Sequence, residues 1–111
     1  MKNKKKVTSV TELSYKEKMK KEYINLVYEC RKYHYKAEYK FNCFYIYTKF
    51  ELWCYELING RRKLMHGNLL FQNGNGKEGV RWHRQKLSMS SSLKEIVTYI
   101  HEHEGWKYGP L

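Results

Sequence analysis

Asn59-Gly60 is the feature of this sequence that most constrains the fold, because it separates two runs rich in aromatic and branched residues. Asn and Gly both tolerate positive φ, so the pair predicts the type I′ turn of a two-residue β-hairpin. Taking Ile58 opposite Arg61 as the closing pair fixes the register of the two strands. The other predicted cross-strand pairs are Leu57–Arg62, Glu56–Lys63, Tyr55–Leu64 and Trp53–His66.

Alternation with a period of two predicts the rest of the sheet. Residues 39–47 place Tyr39, Phe41, Cys43, Tyr45 and Tyr47 on one face and read as one strand, and residues 50–58 read as the next. The return strand of the hairpin follows the Asn-Gly turn. The repeated Asn-Gly at residues 73–76 predicts a second turn, and residues 80–87 read as a further strand. We therefore expect an antiparallel β-meander of three to four strands.

Helices are predicted on both sides of this β-rich segment. Ser14 with Glu17, and Ser92 with Glu95, have the spacing of a capping box, which predicts one helix over residues 14–35 and another over residues 92–105. Both segments carry apolar residues at helical spacing. The predicted fold class is α+β: an N-terminal amphipathic helix, the meander with its Asn-Gly hairpin, and a C-terminal helix packed on the sheet. Residues 1–13 are predicted to be a basic flexible arm, and residues 14–111 a single domain.

Positive charge dominates the composition and is distributed unevenly. The 111 residues carry 22 Lys and Arg against 11 Glu, with no Asp, for a formal net charge of +11. Residues 1–36 hold 11 cations and 4 Glu, residues 37–90 hold 9 and 4, and residues 91–111 hold 2 and 3. A charge of this sign and size indicates a polyanionic partner. We expect binding on one side of the molecule, with the C-terminal helix as packing support.

Cations and aromatic rings alternate along the predicted sheet, and this combination suits nucleic acid. Cations replace condensed counterions at phosphates, and flat rings stack on exposed bases. For any single aromatic residue, a place in the core is the commoner explanation, since a small domain needs large side chains to close its core. The candidate nucleic-acid-binding residues are Lys4, Lys5, Lys6, Lys40, Lys49, Arg61, Arg62, Lys63, Arg81, Trp82, Arg84 and Lys86.

The basic hairpin, over about residues 53–68, resembles in outline the wing of a winged-helix DNA-binding domain. That family has a helix-turn-helix before the wing, whereas residues 39–50 read as strand here. A domain that contacts DNA or RNA through its strands or hairpin, with the first helix as support, fits the periodicity better.

Metal binding and catalysis have weaker support in the sequence. Cys30 and His34 are four residues apart on the predicted first helix, and a two-residue turn at residues 48–49 would place Cys43 opposite Cys54, so a zinc site is one alternative. The commoner reading is three free thiols. His101 and His103 are two apart on a helix, point in different directions and should not share an ion. We expect no catalytic residues, no metal and no cofactor.

The predicted function is that of a small, basic, non-catalytic accessory protein that binds nucleic acid, DNA rather than RNA, and comes from a phage or plasmid. The alternatives are a phage-encoded inhibitor that binds a host enzyme acting on nucleic acid, and a small nuclease using His66, His83 or the Glu-rich C-terminal helix. We expect a cytoplasmic protein without a membrane partner, with a host protein as another possible partner and a homodimer as a possible state.

Overall fold

Seven elements follow one another in the computed structural model, which describes the backbone of residues 2–71 and 78–109 and the side chains of residues 14–67 and 80–109. The predicted α+β class is confirmed. The elements are α1 (Lys2–Arg31), β1 (Lys36–Lys40), β2 (Cys43–Tyr47), β3 (Leu52–Ile58), β4 (Arg61–Phe71), β5 (Glu78–Arg84) and α2 (Leu93–Tyr108).

The five strands form one antiparallel sheet in the order β1-β2-β3-β4-β5, one more strand than the largest number predicted. The extra strand arises because residues 39–47 are not continuous. Phe41 and Asn42 have φ of 53° and 59°, and this two-residue turn folds β1 back onto β2. Phe rarely adopts positive φ, so the turn has no strong signature in the sequence. The last strand also lies earlier than predicted, at residues 78–84.

The register of β3 and β4 is the one that the Asn-Gly turn predicted. Ile58 pairs with Arg61, and all the other predicted pairs from Leu57–Arg62 to Trp53–His66 are present. Asn59 and Gly60 have φ of 51° and 77°, as the type I′ turn requires.

The first helix differs from the prediction at both ends. It begins at Lys2 rather than Ser14, since no Gly or Pro interrupts residues 2–13 and the Ser14–Glu17 pair lies inside the helix. It ends at Arg31 rather than Tyr35, because His34 adopts a φ of 61° and the Tyr35 amide donates back to the Cys30 carbonyl at 3.0 Å. Whether residues 1–13 act as a separate arm stays a prediction.

The second helix begins where the sequence predicted. The Ser92 hydroxyl accepts from the Glu95 amide at 3.1 Å, and the Glu95 carboxylate accepts from the Ser92 amide at 2.8 Å, which completes the capping box. The helix continues through Gly105 and ends instead at Gly109, whose φ of 92° breaks the helical backbone. A Gly inside a helix destabilises it by only about 1 kcal/mol relative to Ala, so Gly105 alone does not end the helix.

Both helices contribute to a core on one face of the sheet. The core side chains of α1 and α2 meet alternate residues of β2, β3 and β4; these buried residues are Leu26, Cys30, Phe44, Ile46, Trp53, Tyr55, Leu64, Leu93, Ile96, Val97 and Ile100. The opposite face, which we call the open face, carries the intervening residues of each strand.

In the part of the chain that the structure describes, neither helix combines the length and the apolar character that crossing a bilayer would require.

Candidate nucleic-acid interface

The strand register defines the open face residue by residue. Directly opposed residues of neighbouring strands point to the same side of a sheet, so each chain of pairs gives one row across it. The rows of the open face are Lys36–Tyr47–Leu52–Gly67–Trp82, then Glu38–Tyr45–Cys54–Met65–Arg84, then Lys40–Cys43 and Glu56–Lys63, and finally Ile58–Arg61.

Cations occupy the borders of this face, and aromatic rings lie further in. Lys36 and Lys40 belong to the edge strand β1, Arg84 to the opposite edge strand β5, and Arg61 and Lys63 to the hairpin. Glu38 and Glu56 are the carboxylates of these rows, and the register places Glu78, opposite Phe71 at the start of β5, on the same side, so cations outnumber carboxylates by five to three. The face is therefore net positive over a width of about 19 Å, taken as four strand spacings.

Three ring systems form the interior of the open face. The indole of Trp82 lies over Gly67, where a Cβ atom would come within 2.8 Å of the ring. The Tyr45 ring has its centroid 6.1 Å from that of Trp82, and the Lys40 ammonium is 5.3 Å from the Tyr45 centroid. Tyr47 follows Tyr45 on the same side of β2. All three rings are partly exposed, so each can present part of its surface to a ligand.

The structure brings five of the predicted binding residues together on the open face, namely Lys40, Arg61, Lys63, Trp82 and Arg84. These residues come from three different strands, β1, β4 and β5. Their assembly depends on the sheet order, which keeps the hairpin between β1 and β5.

Other predicted residues lie elsewhere. Arg62 and Arg81 alternate onto the core side of the sheet, and the Arg62 guanidinium is paired with Glu22. Lys49 and Lys86 are exposed in the segments after β2 and after β5. Lys4, Lys5 and Lys6 belong to α1, but their side chains lie outside the described residues.

A cavity of about 680 Å³ adjoins one corner of the open face. Lys36 and Tyr47, the first two residues of the first row of that face, also line this cavity. Its other lining residues come from the α1–β1 connection, the β2–β3 connection and α2, and they are Lys32, Tyr33, His34, Tyr35, Thr48, Lys49, Phe50, His101 and Glu104. The lining thus combines aromatic rings with three Lys and one carboxylate.

Glu104 is the one carboxylate of the cavity lining and is fully buried. Its Oε2 accepts from Trp53 Nε1 at 3.0 Å and from the Thr48 hydroxyl at 2.5 Å. Its Oε1 has no partner among the described residues. An unmatched carboxylate oxygen beside a cavity can accept a hydrogen bond from a ligand N–H group.

A second polar cluster lies between α2 and the sheet, where Glu51, His66 and His103 converge. Their potential ligand atoms all lie within 4.8 Å of one another. Burial would raise the pKa of Glu51, but hydrogen bonds from Lys107 and Tyr108 outweigh it and hold that pKa below its usual value. Burial lowers the pKa of His66 despite the nearby Glu51 charge, so its imidazole is neutral near neutral pH.

The zinc site considered from the cysteines is not formed. His34 lies beyond the end of α1, and Cys54 is opposite Tyr45 rather than Cys43, because the β2–β3 connection is two residues longer than the turn assumed. His101 and His103 point in different directions, as predicted. The His101 ring stacks on that of Tyr33 with centroids 4.0 Å apart, and the His103 ring is edge-on to that of Trp53 with centroids 5.1 Å apart.

Sequence reasoning missed several residues that the structure places at these sites. Lys36 falls between the predicted first helix and the predicted first strand, and neither Lys36 nor Glu104 was among the predicted binding residues. Glu51 was not considered at all. The predicted pairing of Trp53 with His66 placed Glu51 two residues from the pair on the same strand, and this was the available signal for the second cluster.

Comparison of the chain with protein-family models, with curated proteins and with solved structures finds no match in any of the three.

Proposed function

We propose that this protein binds single-stranded nucleic acid on the open face and acts without catalysis. The observation that carries the proposal is the arrangement of five cations around Tyr45, Tyr47 and Trp82 on one side of the sheet. Phosphates would lie against the cations at the borders, and bases would stack on the rings between them.

The shape of the face favours a single strand over a duplex. A major groove is about 12 Å wide and admits one helix or a two-stranded ribbon. The open face spans five strands, about 19 Å, and its rings come from β2 and from the edge strand β5, whose Trp82 indole lies inward over Gly67. A single strand can lie flat on such a surface with its bases turned toward the protein.

The cavity beside Lys36 and Tyr47 gives the strand a place to insert one base. Its volume of about 680 Å³ and its aromatic walls suit a planar heterocycle, and the unmatched Glu104 Oε1 suits a base that offers an N–H group. Lys32 and Lys49 at the same cavity supply charge for the adjoining phosphates. The proposed path therefore runs from the open face into the cavity at its corner.

The test compares the affinity of the protein for a fluorescent single-stranded oligonucleotide and for a duplex of the same sequence, across a salt series. DNA and RNA versions are both measured. We expect tighter binding of the single strand, with an affinity that falls steeply as salt rises, by about 0.7 log units per log unit of salt for each phosphate contact. A salt slope near zero would contradict the proposal.

A charge-matched pair of triple variants locates the site. Replacement of Arg61, Lys63 and Arg84 by Ala removes three cations from the open face, and we expect at least about a tenfold loss of affinity and a salt slope smaller by about 2. Replacement of Lys21, Arg31 and Lys94 by Ala removes three exposed helix cations and should leave affinity within about twofold. Equal losses in both variants would show that the open face is not the site.

A separate measurement addresses the cavity and the alternative of a protein partner. Glu104→Gln should change the order in which homopolymers of different bases bind, since an amide presents donors as well as an acceptor. An unchanged order would remove the cavity from the path. Capture from a lysate should be lost after nuclease treatment; nuclease-resistant capture of one protein would favour the inhibitor alternative instead.

A further inference from the structure

Glu51, His66 and His103 come from three separate parts of the fold and meet at one point. Glu51 precedes β3, His66 lies on β4, and His103 lies on α2. Glu51 Oε1 is 2.7 Å from His66 Nε2, and the His66 and His103 ring centroids are 5.5 Å apart. All three potential ligand atoms are within 4.8 Å of one another, so small side-chain movements would let one ion reach all of them.

The contact between Glu51 and His66 is short, but it is poorly directed for a hydrogen bond. The two atoms approach to 2.7 Å, yet they do not meet in hydrogen-bond geometry, and neither has another partner among the described residues. Both are buried: the His66 side chain is 8% exposed and that of Glu51 is 7% exposed. Buried polar atoms without partners are uncommon, so two of them side by side indicate a missing third group.

A divalent cation fits as that third group. Two imidazole nitrogens and one carboxylate oxygen form a ligand set typical of zinc sites that keep a fourth position open. Zinc bonds of about 2.0–2.2 Å at tetrahedral angles place two ligand atoms roughly 3.3 Å apart. The 2.7 Å contact would therefore open by about half an ångström, a change within the reach of side-chain rotation.

Neighbouring groups already hold the ligands in place. The other oxygen of Glu51, Oε2, accepts hydrogen bonds from Lys107 Nζ and from the Tyr108 hydroxyl, both at 2.7 Å. This leaves Oε1 directed at the two histidines. The ring of His103 lies edge-on to Trp53 with centroids 5.1 Å apart. Outer groups of this kind orient the ligands of metal sites.

From this geometry we propose that Glu51, His66 and His103 bind one divalent transition-metal ion of the zinc class. The ion would join α2 to the sheet through the β2–β3 connection and β4. The site is separate from the open face and does not depend on nucleic-acid binding.

The test titrates metal-free protein with Zn²⁺ against a chromophoric chelator and, separately, with Co²⁺. We expect one equivalent to bind, and Co²⁺ to give the visible absorption bands of a four-coordinate ion with nitrogen and oxygen ligands. Zn²⁺ should also raise the thermal unfolding midpoint, because a ligand that binds only the folded state stabilises it. Absence of stoichiometric uptake would overturn the proposal and leave a buried contact between a carboxylate and an imidazole.

Single variants separate the site from adventitious binding. His103→Gln changes a half-buried helix residue and should retain the fold, while lowering Zn²⁺ affinity at least about tenfold. His66→Gln should do the same, with circular dichroism to check its folding. The matched control is His101→Gln on the same helix, whose imidazole stacks on Tyr33 away from the cluster. Loss of uptake in the control as well, or its retention in His103→Gln, would overturn the proposal.

Discussion

Arg62 binds the carboxylate of Glu22 with two parallel hydrogen bonds, from Nε to Oε2 at 2.7 Å and from Nη2 to Oε1 at 2.8 Å. Its Nη1 also donates to the Ser91 carbonyl at 3.1 Å, and the Tyr55 hydroxyl donates to Glu22. One guanidinium thus joins α1, β4 and the segment before α2. A bidentate pair of this kind is among the stronger hydrogen-bonded contacts, and Glu22 is only 7% exposed.

The first prediction separates Arg62 from its neighbour Arg61. Arg62→Ala leaves the buried Glu22 carboxylate unpaired, so we expect the free energy of unfolding to fall by about 3 kcal/mol. Arg61→Ala removes an exposed side chain and should change it by less than about 0.5 kcal/mol. Urea unfolding measures both values.

For the loss of single-strand affinity, we expect the two variants to rank in the opposite order. Arg61→Ala should weaken single-strand binding severalfold, whereas Arg62→Ala, assayed where it is folded, should bind nearly as the unaltered protein does. Equal stability losses, or a larger binding loss in Arg62→Ala, would contradict the assignment of these two residues to opposite sides of the sheet.

The contrast between Arg61 and Arg62 also shows how far the sequence could lead. The Asn-Gly turn fixed the register of β3 and β4, and alternation along β4 would then have placed the two residues on opposite faces. The list of candidate binding residues included Arg61, Arg62 and Lys63 together and overlooked that consequence. Alternation along β2 likewise separates Phe44 from Tyr45: Phe44 lies opposite Tyr55 and is buried in the core.

Long-range docking was beyond the sequence. The convergence of Glu51, His66 and His103 depends on how α2 lies across the sheet, which no local pattern specifies. The cavity depends on the same docking, because His101 and Glu104 meet residues from two connections more than fifty positions away. Local signals predicted elements and one register, and tertiary packing decided the rest.

Cysteine reactivity offers a second prediction. Burial raises the pKa values of the Cys30 and Cys54 thiols to about 12, so both should react slowly with maleimide. Burial also raises the pKa of Cys43, but this thiol is partly exposed on the open face. We expect one cysteine to label in the folded protein, and Cys43→Ser to abolish that labelling.

The same thiol can report binding. Since Cys43 lies opposite Lys40 on the open face, a saturating single-stranded oligonucleotide should slow its labelling severalfold. The rate measured in urea, where all three thiols react, provides the control. An unaltered labelling rate in the saturated complex would argue against contact at this part of the face.

A third prediction uses the contact between Gly67 and Trp82. A Cβ at Gly67 would lie 2.8 Å from Trp82 Cζ3 and 2.8 Å from Val80 Cγ1, so Gly67→Ala must displace the indole. We expect a shifted tryptophan emission, a loss of about 1–3 kcal/mol in stability, and weaker single-strand binding.

Gly105→Ala is the matched control, since a Cβ there meets nothing within 4 Å and the residue is helical. It should stabilise the protein by about 0.5–1 kcal/mol and leave binding unchanged. If both variants bind as the unaltered protein does while the emission of Gly67→Ala shifts, Trp82 takes no part in binding.

The last prediction concerns the acid sensitivity of α2. Hydrogen bonds from the backbone and side chain of Ser92 lower the pKa of Glu95 below its usual value. A carboxylate with a depressed folded pKa contributes stability above its unfolded pKa, and this contribution disappears as the pH falls through the folded value. Glu95→Gln should therefore unfold at a lower temperature than the unaltered protein at neutral pH, and the difference should shrink below about pH 4. Ser92→Ala removes the other half of the box and should cost about 1 kcal/mol. A difference for Glu95→Gln that stays constant from neutral to acidic pH would show that its charge does not stabilise the helix start.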